Sequence, residues 1–351
     1  MNFTLKKYIA QKKNIVFLLL LIASLSFLFI WYKSVYSNNV YQENIALINN
    51  VINENNGNGS PSSSQKNFLN FLNQEKKAWT NKNYNLYYKL DNENNLEMLS
   101  QYKKNPQSVM GDIHLMKDSI SYYYAVKASG QSFSPGQGLN FSGLGVIQDF
   151  NSWLSSIVFL VFFTLLCADF FGDEFTKGLR FYELIKMNRK KLTLHYLWIP
   201  LSLTFAAVCL TFIVLFGAQS ISSGVGSLSY PFGQVGYITT PIWQIGLWAL
   251  LYLFLTLLFI TSLGQLFAVL IKKAHLSATV LLVILIIFSV LKTQTFMQPF
   301  LKWIPLSYLG SGQVISQGLN LGYGALYLIV CSIVFILLTN LLFSRYIYRK
   351  A

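Results

Sequence analysis

Long apolar runs separated by polar stretches dominate the hydropathy pattern of this chain. A helix needs about 20 mostly apolar residues to cross the hydrocarbon core of a bilayer. Six runs are at or near that length, and they cover residues 15–32, 153–171, 194–217, 242–271, 276–291 and 325–343. The pattern predicts an all-α polytopic membrane protein with six transmembrane helices.

The segments between the runs differ in character. Residues 1–14 alternate apolar and lysine side chains, which predicts an interfacial amphipathic helix. Residues 33–151 are polar, and their apolar side chains recur at helical spacing, which predicts a mostly helical domain. Residues 293–317 contain two prolines and few charges, as expected of an outer re-entrant segment. Residues 344–351 form a short basic tail.

The composition supports a membrane environment. Hydrophobic residues make up 53% of the 351 positions and charged residues only 11%. A soluble globule of this composition would expose a large apolar surface to water. The net charge of +14 does not indicate nucleic acid, because the basic residues cluster beside the apolar runs, where anionic lipid headgroups lie. Membrane lipids are therefore the expected partners of these charges.

The basic residues also predict the orientation, because Lys and Arg concentrate in cytoplasmic loops. They flank the first run on its N-terminal side, separate the second from the third and the fourth from the fifth, and follow the sixth: Lys6, Lys7, Lys12, Lys13, Lys177, Arg180, Lys186, Arg189, Lys190, Lys191, Lys272, Lys273, Arg345, Arg349 and Lys350. The loop 218–241 has no charged residue. Both termini are expected in the cytoplasm, with the domain at 33–151 outside the cell.

The most informative segment is the predicted cytoplasmic loop 172–191, with the sequence GDEFTKGLRFYELIKMNRKK. Gly172 and Asp173 suit a helix N-cap, and Glu174 suits the first helical turn, where the helix dipole favours an anion. The apolar side chains that follow recur at helical spacing, which predicts an amphipathic helix able to dock into a groove of another protein. The alternative is a solvated helix that only anchors its neighbours at the headgroups.

This segment resembles the ABC-2 type transporter permease family. That family has an acidic residue after the second span, then a Gly, an apolar stretch and a basic residue. The matching positions are Glu174, Gly178, Leu184 with Ile185, and Arg189 or Lys190. The chain departs from the pattern at Leu179, where Thr is usual, and at Met187, near the usual Pro. The domain at 33–151 also departs from compact members and is similar to Gram-positive variants with a large extracellular domain.

The resemblance implies a permease subunit of an exporter in a bacterial plasma membrane. Two permease subunits, identical or different, would pair, and each would dock on a nucleotide-binding ATPase through the loop 172–191. The substrate would be a peptide, antibiotic, lipid or other amphipathic molecule. Cofactors would be absent from this chain, with ATP and Mg bound by the partner ATPase. The expected coupling residues are Asp173, Glu174, Gly178, Arg180, Tyr182 and Glu183.

The sequence does not favour an enzyme or a metal site. It has no G-x-x-x-x-G-K-[ST] loop to hold ATP phosphates, so the energy would come from a partner chain. His114, His195 and His275 are isolated from other ligand residues, and we expect no metal. Asp169 is the one acidic residue within a run, and it lies near a run end, which does not favour a gradient-driven transporter.

A second interpretation belongs to a different class of protein. The chain would then be a membrane sensor or immunity protein, whose extracellular domain binds a ligand without transport. The loop 172–191 would signal to a cytoplasmic partner. The copurifying partner, an ATPase or a signalling protein, distinguishes the two interpretations.

Overall fold

A computed structural model describes most of the chain. It covers residues 2–31, 42–43, 45–46, 48–50, 52–53, 63–105, 113–133, 142–176, 189–233 and 237–348. These residues form helices and connecting turns, with an isolated β-bridge between Pro231 and Pro241 and no strand in the described ranges. The all-α prediction is confirmed.

The described helices are numbered in chain order. They are α1 (Asn2–Ala10), α2 (Lys12–Trp31), α3 (Ser63–Thr80), α4 (Tyr84–Lys104), α5 (Ile113–Ala128), α6 (Val146–Leu154), α7 (Ile157–Thr176), α8 (Arg189–Ser223), α9 (Ile242–Ile271), α10 (Ala274–Leu291), α11 (Ser311–Ser316) and α12 (Leu321–Tyr348). Short 3₁₀ segments occupy Gly143–Gly145, Thr295–Trp303 and Pro305–Tyr308.

Five of these helices, α2, α8, α9, α10 and α12, are long and apolar enough to cross a membrane. Helices α6 and α7 meet the same criterion as a pair, but they are bent by 66° at a short break. The chain is therefore a multi-pass membrane protein with five such helices in its described part, or six if the bent pair is one span.

The break between α6 and α7 lies at Ser155 and Ser156, inside the apolar run that predicts one straight helix. The hydroxyl of Ser155 donates to the carbonyl of Asn151 at 3.0 Å, and that of Ser156 donates to Trp153 at 2.7 Å. Ser156 also accepts from the Phe159 amide at 3.3 Å, as an N-cap does. Serine side chains thus serve backbone groups that lose their helical partners at the break, which an apolar environment requires.

The chain divides into two compact units. The bundle unit comprises Met1–Leu28, Asp149–Gly217 and Gly246–Ala351, and the insert unit comprises Phe29–Gln148 and Ala218–Ile245. The sequence pattern predicts a domain from 33–151 alone. It misses the second segment of the insert unit, because that uncharged stretch has no helical periodicity to suggest packing.

Within the insert unit, the segment 218–245 packs against the other segment of the same unit, Phe29–Gln148. The buried hydroxyls of Tyr122 and Tyr230 are 3.0 Å apart. The Gly143 amide donates to the Gly224 carbonyl at 2.8 Å, and a Cβ on Gly143 would lie 2.0 Å from Oγ of Ser220. A side chain at position 143 would require the Ser220 hydroxyl to move, because the two segments approach closely here.

Candidate functional site

The end of α7 is held by a bend near the N-terminus, within the bundle unit. Helix α1 ends at Ala10 and α2 begins at Lys12, so Gln11 is the single residue between them. The Gln11 side-chain amide donates to Oδ2 of Asp173 at 2.8 Å, and the Lys13 ammonium is 3.9 Å from the same oxygen. Asp173 is only 6% exposed. A buried carboxylate needs such partners, because transferring an ion from water to the protein interior without them costs on the order of several kcal/mol.

Asn14 fixes the bend itself. Its side-chain amide donates to the Tyr8 carbonyl at 3.0 Å and to Oε1 of Gln11 at 3.1 Å. The Gln11 side chain therefore accepts from Asn14 and donates to Asp173, so that a chain of hydrogen bonds runs from α2 through the bend to α7. These four residues, Gln11, Lys13, Asn14 and Asp173, are called the α7 clamp below.

Aromatic rings surround the clamp. Tyr8 packs edge-on against Phe170 with ring centroids 4.8 Å apart, and Phe170 lies 4.7 Å from Tyr196 of α8. The Lys7 ammonium donates to the Tyr196 hydroxyl at 3.0 Å and lies 5.3 Å from the ring centroid, close enough for a cation–π contact. The N-terminal helix is thus tied to both α7 and α8.

The last turns of α7 also contact α10 and α12. A Cβ on Gly172 would lie 2.6 Å from Cα of Ala274, so a side chain there would push α7 and α10 apart. Phe171 and Phe175 pack on Phe343 of α12, with ring centroids 5.6 and 6.0 Å apart. The segment that follows Thr176 therefore begins from a helix end contacted by α1, α2, α8, α10 and α12.

The structure corrects one prediction about this region. Gly172 and Asp173 do not cap a new helix; they lie inside α7, which continues to Thr176. The physical reason is packing, since the rings of Phe171 and Phe175 contact Phe343 of α12 and so extend the helix. Gly172 allows the close contact with α10. The amphipathic helix predicted over 172–191 lies, beyond Thr176, mostly outside the described residues.

The six predicted coupling residues are placed unevenly. Asp173 belongs to the α7 clamp, and Glu174 lies on α7, with its side chain outside what the structure describes. Gly178, Arg180, Tyr182 and Glu183 lie outside the described residues. The structure therefore brings together Asp173 with Gln11, Lys13 and Asn14, which the sequence pattern does not single out.

Two further polar clusters join helices of the bundle unit. Thr193 donates to Asn340 at 2.5 Å, and Gln265 donates to the Thr193 carbonyl at 3.3 Å, so α8, α9 and α12 are linked. Gln265 and Asn340 thus make helix-packing contacts, the commoner role of polar side chains in apolar helices.

The second cluster lies beside the break between α6 and α7. Ser311 donates to Oδ1 of Asn151, which is 1% exposed. A Cβ on Gly312 would lie 2.5 Å from the Asn151 carbonyl oxygen, and one on Gly310 would lie 2.8 Å from that of Leu154. Glycines at both positions let the start of α11 approach α6 closely.

No group of three or more His, Cys, Asp or Glu side chains that could hold a metal ion occurs among the described residues. Comparison of the chain with protein families, with curated proteins and with solved structures gave no match. The function is therefore inferred from the residues and the geometry alone.

Proposed function

We propose that this chain is the permease subunit of an ATP-binding-cassette exporter, with six membrane spans of which α6 and α7 together form the second. The termini and the loop 172–191 face the cytoplasm, and the insert unit lies outside the cell. The chain hydrolyses nothing itself. A separate subunit binds ATP and Mg, and a second permease subunit, identical or different, completes the pathway for an amphipathic substrate.

The observation that supports this proposal best is the α7 clamp. A force applied by a partner to the segment after Thr176 meets a helix end held through Asp173 by the α1–α2 bend and through Gly172 by α10. Motion of this helix end would therefore involve several helices of the bundle unit together. That is the mechanical property needed if a docked ATPase is to change access across the membrane.

The charge of the segment fits a partner protein. Residues 172–191 carry Lys177, Arg180, Lys186 and three consecutive basic residues against Asp173, Glu174 and Glu183. The basic end suits anionic headgroups, and we expect Glu174 and Glu183 to contact the partner surface, whereas Asp173 is engaged in the α7 clamp. Glu174→Lys should leave membrane insertion intact and prevent productive docking.

A photo-crosslinking experiment tests the proposal. A photoreactive residue is placed at Tyr182 in the full chain in its native membrane, and at exposed Tyr124 of the insert unit as the matched control. The proposal predicts a crosslink from position 182, and not from position 124, to a chain that binds ATP. Crosslinks from position 182 only to lipid, or to a protein that does not bind ATP, would contradict it.

The insert unit supports a second candidate function. It contains an open cleft between α3 and α4 with carboxylates at its rim, which suits a ligand-binding sensor or immunity protein. In that case the crosslinked partner of position 182 would be a signalling protein, and no ATPase would be recovered.

A further inference from the structure

Helices α3 and α4 form an antiparallel hairpin whose open end holds a cleft of about 490 Å³. Its lining combines aromatic and thioether side chains with carboxylates and amides: Phe68, Phe71, Glu93, Asn94, Glu97, Met98 and Gln101. No Lys, Arg or His is among these lining residues.

The closed end of the hairpin explains why the cleft lies at the other end. The connection Asn81–Asn83 is three residues long, and the Asn83 side chain accepts from the Leu86 amide at 3.2 Å as an N-cap. Trp79, which is fully buried, packs on Tyr87 with ring centroids 4.7 Å apart. Large rings fill the space near the turn, whereas the lining near Phe68 leaves a gap.

The carboxylates are spaced for two cations. Glu93 and Glu97 are one helical turn apart on α4, so they share a face and are separated by about 6 Å along the helix axis. Lys89 lies on the far side of Glu93, 3.9 Å from its carboxylate, with both side chains more than half exposed. An exposed pair of this kind contributes about 0–1 kcal/mol, so a ligand cation can compete for Glu93.

The amides set the length of the ligand. Asn94 follows Glu93 directly, and Gln101 lies one turn beyond Glu97 and donates to its Oε1 at 3.4 Å. The two amides are seven residues apart, about 10 Å along α4. That distance matches about three residues of an extended peptide, in which alternate side chains repeat every 6 to 7 Å or so. Amide side chains can both donate to and accept from a peptide backbone.

We propose that this cleft binds an extended peptide segment with basic side chains at alternate positions and apolar side chains beside them. The basic groups pair with Glu93 and Glu97, the apolar side chains contact Phe68, Phe71 and Met98, and the amides bond to the peptide backbone. An acidic ligand is excluded by like charge. Peptide binding at this cleft does not require ATP-driven transport, so this proposal is tested independently of the permease proposal.

The test uses the full chain in uncharged detergent and three synthetic peptides labelled with a fluorophore. The first is acetyl-Leu-Lys-Leu-Lys-Leu-amide, the second replaces both Lys by Glu, and the third replaces each Leu by Ser. We expect saturable binding of the first peptide only, weakened by added salt because the carboxylates lie at the exposed rim. Glu97→Gln should raise its Kd about two- to five-fold, within the range of one exposed ion pair.

A matched variant controls for net charge. Glu43 is an exposed carboxylate of the same unit outside the cleft, so Glu43→Gln should leave the Kd unchanged. Equal effects of Glu97→Gln and Glu43→Gln, or equal binding of the Lys and Glu peptides, would overturn the proposal. Binding of the Ser peptide as tightly as the Leu peptide would also overturn it, because the apolar lining would then play no part.

Discussion

Gln11 donates its side-chain amide to Oδ2 of Asp173 at 2.8 Å, although the two residues are 162 positions apart in the chain. The bond connects the bend between α1 and α2 to the helix that leads into the proposed docking segment. Because Asp173 is buried, the bond lies in a region where an unpaired partner is costly.

Replacing these two residues tests whether the contact stabilises the bundle unit. Gln11→Ala and Asp173→Ala should each lower the thermal stability of the detergent-solubilised chain. The double variant should lose less stability than the sum of the two single losses. The difference, the coupling free energy, should be about 1–3 kcal/mol, as expected for a hydrogen bond to a charged group. Lys12→Ala, at an exposed neighbouring position, should have little effect. Additive losses would show that the two side chains do not interact.

Because α7 and α10 touch at Gly172, we expect replacement of this glycine by alanine to destabilise the chain far more than the same replacement at Gly217, another helical glycine. Gly172→Ala places a Cβ 2.6 Å from Cα of Ala274, a backbone atom that cannot rotate away. We expect a loss of about 1–3 kcal/mol, measured by thermal unfolding. Gly217→Ala has nothing within 4 Å and should be neutral or stabilising by up to about 1 kcal/mol, because alanine favours helix. Similar losses at both glycines would contradict the packing described.

The hairpin of the insert unit should respond to pH through two buried carboxyl groups. Burial, and secondly the charge of Asp91, raises the pKa of Glu75 to about 8. Burial raises the pKa of Asp91 to about 6, although a hydrogen bond from Asn95 lowers it in part. Both groups hold protons more tightly in the folded hairpin. The stabilisation by Asp91 is therefore fully present below its ordinary pKa of 3.8 and is lost as the pH rises through about 6. That by Glu75 is fully present below its ordinary pKa of 4.5 and is lost as the pH rises through about 8.

Hydrogen exchange of α3 and α4 in the full chain measures this effect. After correction for the intrinsic exchange rate, the protection of these amides should fall between roughly pH 5 and pH 9, because this window includes the raised pKa values of both carboxyl groups. Glu75→Gln should remove most of the fall, and Glu97→Gln at the exposed rim should not. An unchanged pH dependence in Glu75→Gln would mean that this carboxyl group is not responsible.

The packing of segment 218–245 within the insert unit predicts coupling between two tyrosines. The hydroxyls of Tyr122 and Tyr230 are buried and 3.0 Å apart. Tyr122→Phe and Tyr230→Phe should each reduce the protection of the α5 amides. The double variant should lose less protection than the sum of the two single losses, with a coupling free energy of about 0.5–1.5 kcal/mol. Strictly additive effects would argue against contact between the two segments.

Much of the helical pattern could be predicted from hydropathy, because each apolar run is long enough to decide the structure by itself. The run 242–271 has the same bounds as α9, and the fifth and sixth runs lie inside α10 and α12. Helix α8 extends from Arg189 to Ser223, beyond both ends of its run. Polar ends of a helix carry no hydropathy signal, so these extensions were not predictable.

Features that depend on contacts between distant residues were missed. Ser155 and Ser156 lie in an apolar run, and a serine pair indicates a break only when other helices require one. Gln11 looks like an ordinary polar residue among lysines, and its role depends on the position of Asp173. Gln11 lies inside the predicted interfacial helix 1–14, and the break between α1 and α2 at this residue has no signal in the sequence pattern.

Copurification tests the central claim most directly. The full chain is solubilised from its native membrane and purified by affinity, in parallel with Glu174→Lys and with Glu43→Lys as the control of equal charge change. The account predicts that an ATP-hydrolysing subunit copurifies with the unaltered chain and with Glu43→Lys, and that it is lost with Glu174→Lys. Recovery of the chain without any ATPase, or with a signalling protein in its place, would contradict the permease proposal.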